Sequence, residues 1–404
     1  MVQDGARLHY AVPLALQRAG VLQAMFTDWF LSDRRLEQRI GEWCRWVYPG
    51  WGNKLADRSC AELRVQRVNR NPWLLLSKSV ARFSHRSAEE HFAWLSALHA
   101  RWIVHRGLGP ANAVFGFIRN IHPRLLAACR ARGLTTVADQ MSAPAAVQRE
   151  ELARQIKRWP DWQSGTHAID FDTAAEFECR TWERLDHVTC ASEYVRAGLI
   201  AQGVKPVNIS VLPYPIDMEP IPTIVRPAQR HPVTVGFLGR VELWKGAPYF
   251  REVASRVNLP GVRFVMIGPV HVPPAVQARL KDRVELVGPV PRSEVMRRLA
   301  QFDIFFFPST CEGSAGAVME AMASGLPVVT TPNSGTLVRD GIEGFVRAAD
   351  DTAGLADAVH RLVDDPALRR AMGDAARHRA SAQDIQGYGR ELVALFQRLL
   401  EGKR

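Results

Sequence analysis

Two periodicities alternate along the chain. Short runs rich in Val, Ile, Phe and Thr, the pattern of buried strands, are separated by longer stretches whose apolar residues recur at helical spacing. In the first half the strand-like runs are Gln23 to Asp28, Ala113 to Phe117, Thr135 to Ala138, His187 to Ala191 and Val207 to Leu212. Helices are predicted over Pro123 to Arg132, ended by Gly133; over Thr173 to Leu185; and over Glu193 to Gln202, capped by Ser192 and stopped by Gly203. The second half repeats the rhythm: strands at Val233 to Leu238, Val262 to Ile267, Val284 to Val287, Ile304 to Phe307 and Val328 to Thr331, with helices at Ala247 to Val257 and Ser293 to Gln301. Three closing helices are predicted at Thr352 to Val363, Pro366 to Ala380 and Asp384 to Leu400, the second opened by Asp365 as cap with Pro366 at its first position.

Alternating strand and helix signals predict an α/β protein with parallel sheets. Six prolines crowd between Pro213 and Pro232, a composition that stiffens a connector, and the boundary is placed there. The expected organisation is a Rossmann-like domain over 1–228, a second over 229–383, and a terminal helix over 384–404. The strand expected at the start has only Met1-Val2-Gln3 before the loop Asp4-Gly5-Ala6-Arg7, fewer than the five or six residues usual for a strand, with His9 and Tyr10 expected on the following helix.

The chain has 404 residues, 47% hydrophobic, enough for two or three ordinary cores. It contains no apolar run of membrane-spanning length and no apolar core near Met1, so a cytoplasmic location is expected. Cys44, Cys60, Cys129, Cys179, Cys190 and Cys311 are scattered, without the close spacing of a zinc site, and read as reduced thiols. Net charge is +11, and ten of the eleven tryptophans lie between Trp29 and Trp182, interleaved with arginines as at Trp43-Cys44-Arg45-Trp46. That mixture suits an anionic membrane surface; a tryptophan-rich core under a solvated basic face accounts for it equally. Nucleic acid is not expected as a partner.

Chemistry concentrates in Cys311-Glu312-Gly313-Ser314-Ala315-Gly316-Ala317-Val318-Met319-Glu320. Two carboxylates flank a glycine-containing loop that enters a helix. Its glycines let peptide N–H groups approach an anion, and the helix start adds unpaired amides and a positive dipole, so this half suits a diphosphate. Glu320 shares a helix face with Gly316 and Ala317, where it can accept hydrogen bonds from sugar hydroxyls. No cationic residue lies between the two glutamates. A second segment, Gly239-Arg240 with Lys245-Gly246, follows the strand Val233 to Leu238, at the strand's carboxyl end, where open parallel sheets bind ligands. Together these describe a site for a nucleoside diphosphate-sugar.

This combination resembles the retaining, GT-B-type glycosyltransferases of family 4, whose donor domain carries a Gly-Arg…Lys-Gly pair and a Glu-x7-Glu element ending in Glu-Ala-Met-Ala-x-Gly-x-Pro-Val-Val, here Glu320 to Val329. The match spans roughly 190 to 350 and is weak before it. The resemblance implies two Rossmann-like domains facing a cleft, a terminal helix crossing back to the first, and retention at the anomeric carbon without a metal or other cofactor. It implies that Arg240 and Lys245 steady the departing phosphate and that Glu312 meets the transferred sugar. Glu320 would take the ribose, the amides of Gly313, Ser314, Ala315, Gly316 and Ala317 the phosphates, and Val287 and Pro289 the base, with Gly239 also on the donor side. The first domain would receive a glycan or polyprenyl-linked acceptor, with Gly5, Arg7 and Asp139 on that side. Asp139 stands where relatives often have a histidine, and it is read as binding a hydroxyl, acting as a base, or capping the next turn.

Asp170-Phe171-Asp172 has the Asp-x-Asp form of a manganese site, but its place before a helix favours capping by Asp172 or by Thr173. His122 reads as a helix-entry residue. A nucleotide-sugar epimerase of the same fold and a non-catalytic nucleotide-sugar sensor are the rival classes. An NAD reductase is set aside because Gly236 to Gly239 lies within a strand instead of forming Gly-x-Gly-x-x-Gly after one.

Overall fold

The computed structural model describes residues 1–30, 58, 60, 62–74, 77, 88–163, 170–218, 221 and 231–403. Two parallel sheets organise it, each flanked by helices. In the first, β1 (Met25–Thr27) pairs with β2 (Val68–Arg70), and β3 (Ala113–Phe117), β4 (Thr135–Gln140), β5 (His187–Cys190) and β6 (Ile209–Val211) follow in order. Val2 joins the two groups as a single parallel bridge to Phe26 on one side and Gly116 on the other. The short opening segment thus serves as the missing strand through one residue, its amide donating to Phe115 at 2.8 Å.

The second sheet runs β12-β11-β10-β7-β8-β9, built from β7 (Val233–Leu238), β8 (Val262–Ile267), β9 (Glu285–Gly288), β10 (Ile304–Phe307), β11 (Val328–Thr330) and β12 (Gly344–Val346). β10 is apolar throughout and fully buried, as a central parallel strand covered on both faces must be. Phe306 stacks on Phe250 and Phe307 on Phe237, both at 5.2 Å between ring centres.

The described helices are α1 (Ala11–Arg18), α2 (Ala88–Arg106), α3 (Pro123–Ala131), α4 (Ala145–Arg158), α5 (Phe171–Trp182), α6 (Glu193–Ala201), α7 (Ala247–Val257), α8 (Pro274–Lys281), α9 (Val295–Leu299), α10 (Gly316–Ala323), α11 (Thr352–Asp364), α12 (Pro366–Ser381) and α13 (Ile385–Glu401). α13 returns to the first domain, as the fold class predicted. Its Tyr388, Leu392 and Leu395 share a core with Tyr10, Val12 and Ala15, and Gly389 lets it lie close against Ala15. In the other direction α4 reaches across to the second domain. Gln155 accepts from the Tyr249 hydroxyl at 2.8 Å, Trp159 meets the Tyr249 ring edge-on, and Trp162 is buried in the second domain's core.

Some elements depart from expectation. The strands at Val262 and Val284 are joined by α8, whose weak amphipathic pattern hides it, and the helix predicted over Ser293 to Gln301 shrinks to a 3-10 turn and α9. His9 and Tyr10 precede α1 in a left-handed turn instead of lying on a helix. Asp170, not Asp172 or Thr173, caps α5, accepting from the Thr173 amide at 3.0 Å, while Asp172 pairs with Arg149. Among the described tryptophans, Trp162 and Trp182 are buried and Trp73 is 72% exposed; Trp43 and Trp46 lie outside the described residues. No described helix is long and apolar enough to cross a membrane.

Candidate functional site

The two predicted halves of the site meet where the β7–α7 loop touches the β10–α10 loop. β7 ends at Leu238, the chain turns through Gly239 and Arg240, and a 3-10 turn over Leu243–Lys245 brings it to Gly246. Gly246 adopts φ +79°, and a Cβ there would come within 1.9 Å of the Pro308 carbonyl oxygen, so only glycine permits this approach. The Trp244 carbonyl accepts from the Thr310 amide at 2.9 Å and the Ser309 hydroxyl at 3.0 Å, stitching the loops together. The result is a direct ion pair between the Lys245 ammonium and the Glu312 carboxylate, both largely buried.

Arg240 is placed differently. Its guanidinium turns to Glu242, 3.1 Å away, and remains half exposed. Glu242 is a buried carboxylate that also accepts from the Trp244 indole N–H at 3.0 Å, so it fixes both flanks of the loop. Nothing in the order of residues singled it out: a glutamate at an alternate loop position reads as solvated.

Glu320 projects from α10 and pairs with Arg292 at 2.6 Å. Arg292 follows Val287 and Pro289 on the loop after β9, so the glutamate assigned to the ribose and the segment assigned to the base adjoin through this arginine. Pro289 is exposed and Val287 half-buried. Both glutamates therefore have cationic partners, supplied by distant segments that local sequence could not reveal.

The amide cradle is smaller than expected. Ala315 is not part of it, because its amide donates to the Ser334 carbonyl at 3.1 Å; the Glu312 amide likewise donates to Asn333 at 2.9 Å. These bonds brace the loop from Pro332-Asn333-Ser334, with the Asn333 side chain reaching the Thr310 carbonyl at 2.7 Å. Gly313, Ser314, Gly316 and Ala317 remain around the start of α10, where helix geometry leaves the first amides without intrahelical partners.

Gly313 is also where the domains touch. Its carbonyl accepts from the Ser192 hydroxyl at 2.6 Å, and a Cβ on it would lie 1.6 Å from the Met141 carbonyl oxygen. Beside this seam the Tyr194 hydroxyl donates to Cys311 at 3.6 Å, and burial pushes the Cys311 thiol up to about 11, as befits a packing residue and not a nucleophile.

On the first-domain wall, Gly5 takes φ +71° and its amide donates to Asp28 at 3.0 Å. Arg7 directs Nη1 to the Met141 sulfur at 3.1 Å. Asp139 corrects the expectation placed on it. The strand signal ended at Ala138, but β4 continues to Gln140, and Asp139 is fully buried, accepting from the Thr189 hydroxyl at 2.8 Å and from the Tyr214 hydroxyl. Burial pushes its carboxyl up to about 6, with these hydroxyls and the charge of Arg7 opposing. It faces protein hydroxyls, not the cleft. His122 caps α3, accepting from the Arg124 amide at 3.1 Å.

Comparison with known proteins covers the stretch that carries Gly239 to Glu320. Residues 232–365 match the family "Glycosyl transferases group 1", which shows the resemblance read from the sequence for this stretch. Among curated relatives, the α-D-kanosaminyltransferase of Streptomyces kanamyceticus is 29% identical over 173 residues, 40% of this chain and 45% of that protein. The Escherichia coli UDP-Gal:α-D-GlcNAc-diphosphoundecaprenol α-1,3-galactosyltransferase is 28% identical over 186 residues, 41% and 48% of the two chains. The chain thus spans about half the length of the curated relatives it matches. Two solved structures cover nearly all of it: sucrose-phosphate synthase from Thermosynechococcus elongatus (TM-score 0.62, 18% identity, 99% of each chain) and Anabaena HepE with UDP and glucose (TM-score 0.61, 14% identity, 98% of this chain and 99% of that one). At these identities they establish the fold, two Rossmann-like domains of GT-B type.

Proposed function

We propose that the protein is a retaining glycosyltransferase that moves a sugar from a nucleoside diphosphate-sugar to a hydroxyl of a glycan or lipid-linked acceptor. The observation that carries this reading is the contact of Lys245 with Glu312, which unites a cationic loop and an amide-lined helix start 67 residues apart in sequence. HepE, in complex with UDP and glucose, shares the fold and supports a donor of this class.

In the proposed reaction the donor diphosphate lies against Gly313, Ser314 and the start of α10. As the sugar–phosphate bond breaks, negative charge grows on the departing oxygen. Lys245 and Arg240 are the fixed cations for that charge, and preorganised charge acts where charge develops. Glu312, held by Lys245, accepts from hydroxyls of the sugar, and Glu320 from the ribose. With Asp139 buried within β4 and bonded to the Thr189 and Tyr214 hydroxyls, the carboxylate at that strand end is not available as a nucleophile, which favours front-face displacement with the leaving phosphate taking the acceptor's proton. The charge on the phosphate is met by side chains and amides, so the reaction is proposed to need no metal. Synthesis of cell-surface polysaccharide or glycoconjugate, at the cytoplasmic face of the membrane, is the setting this reading suggests.

The test is a thermal-shift screen of nucleoside diphosphate-sugars, in which a bound donor raises the melting temperature by mass action. Product from the active donor is then analysed by NMR for anomeric configuration, with and without excess EDTA. Failure of every nucleoside diphosphate-sugar to shift the transition would end the proposal; an inverted product or EDTA inhibition would end only its retaining or metal-free part. Conversion of donor alone to an epimer would identify the rival enzyme class.

A further inference from the structure

The loop Asp4 to Tyr10 is held in a strained shape by an unusual number of ties. Leu8, His9 and Tyr10 all have positive φ, at 49°, 49° and 62°. Left-handed backbone costs a residue with a Cβ about 1–2 kcal/mol, so three in succession persist only where the surroundings impose them. The Gln3 side-chain amide donates to the carbonyls of Gly5 at 3.1 Å and Arg7 at 3.2 Å. The Gly5 amide is fixed to Asp28, Asp4 meets His99 at 3.0 Å, and the Tyr10 ring packs edge-on against Phe30 in the core.

This scaffold presents Arg7. Its guanidinium lies 5.6 Å from the Phe117 ring centre; among the described residues Nη1 reaches only the Met141 sulfur and Nε is buried without a hydrogen-bond partner. Among the described residues no carboxylate lies within ion-pair distance of it. The neighbouring acids are otherwise engaged: Asp28 with Arg58, Asp4 with His99, and Asp139 with Thr189 and Tyr214. Burial draws the Arg7 guanidinium below the usual arginine range. A desolvated guanidinium with unused donors is costly by itself and well matched to a tetrahedral oxyanion, which it can grip through two N–H groups.

Its position says which anion. Met141, which Arg7 reaches through its sulfur, meets Gly313 of the donor loop through its carbonyl, so Arg7 stands on the first-domain side of the seam beside that loop. Building on the sugar-transfer reading, we propose that Arg7 is the binding residue for a phosphate-class group carried by the acceptor, making the acceptor an anionic substrate.

The decisive measurement is calorimetric titration of inorganic phosphate, and separately of glycerol 1-phosphate, into protein saturated with the nucleoside diphosphate that binds best. Wild type is expected to bind both probes with the donor site filled. Arg7→Gln should weaken them at least tenfold while changing nucleotide affinity less than threefold, and Arg7→Lys should fall between. An unchanged melting temperature and nucleotide affinity show that the variants are folded. Absence of probe binding to nucleotide-saturated wild type, or equal binding by Arg7→Gln, overturns the proposal. A tenfold loss of nucleotide affinity in Arg7→Gln overturns it too, by placing Arg7 on the donor. If no nucleoside diphosphate binds, the sugar-transfer reading fails instead, and the same titrations of unliganded protein decide by the same criterion whether Arg7 is an anion contact.

Discussion

The Ser192 hydroxyl donates to the Gly313 carbonyl at 2.6 Å, so the residue that caps α6 in the first domain also holds the donor loop of the second. One side chain thereby opens a helix, closes the seam between domains and sets the orientation of the peptide that begins the amide cradle. Gly313→Ala would push a methyl group into the Met141 carbonyl. The expected outcome is a more open arrangement, seen as a larger radius of gyration by X-ray scattering, with turnover down about 100-fold because the catalytic groups are misplaced by an ångström or so. Nucleotide binding should survive, because the second domain is left intact.

Lys245→Ala removes the ammonium assigned to the leaving phosphate and leaves Glu312 without its ion-pair partner. Turnover with saturating donor should fall by about 10²–10³-fold, the usual result of deleting one preorganised charge-stabilising group. If kcat holds and only KM rises, Lys245 acts in binding alone.

Glu242→Gln keeps the shape of the side chain but removes the negative charge from the ion pair with Arg240, leaving the guanidinium opposite a neutral amide. About a 5- to 10-fold loss in kcat/KM is expected, because a partly buried ion pair that orients the Arg240 guanidinium is exchanged for a weaker contact with one charged partner. Glu242→Ala should cost more, since the Trp244 indole loses its acceptor as well. Steady-state kinetics of the two variants, with wild-type nucleotide affinity as control, check the assignment.

Asp139 makes stability depend on acidity in a defined direction. Its carboxyl is raised from 3.8 to about 6 on folding, so the folded state holds the proton more tightly than the unfolded chain. The stability this contributes is fully present below about pH 4 and is lost as pH rises toward 6. Asp139→Asn should therefore gain stability relative to wild type as pH is raised across that window. Urea melts at pH 4.5 and 7 measure the difference, and a gap that stays constant with pH would refute the assignment.

Trp162→Ala should destabilise the fold by about 3–5 kcal/mol, as truncation of a buried aromatic does. Because Trp162 comes from the first domain and is buried in the core of the second, the loss should appear as separation of one thermal transition into two. Differential scanning calorimetry tests this.

Much of this architecture was legible in the sequence. β7, α7 and β10 follow apolar periodicity to the residue because each is buried on a clear period and bounded by Gly, Pro or a polar cap. The pairing of Gly239-Arg240 with Lys245-Gly246 could be placed because it follows a strand end. What stayed hidden depends on proximity between distant segments. The link of Arg292 to Glu320 joins residues 28 apart through a fold in the chain, not through helical spacing. Asp139 was misplaced because β4 runs two residues beyond its apolar signal, which puts Asp139 inside the sheet, where the Thr189 and Tyr214 hydroxyls enclose it. α4 was missed because its buried face is divided between α5 and the second domain, so its fully buried positions include the polar Glu151 and Gln155 and show no clear apolar period.

The two covalent crossings between the domains are tied to each other: the Ile216 amide donates to the Gln383 carbonyl at 2.9 Å, and the Gln383 side chain donates to the Pro213 carbonyl at the same distance. The two connectors therefore lie side by side at these residues, and a change that loosens one is felt by the other.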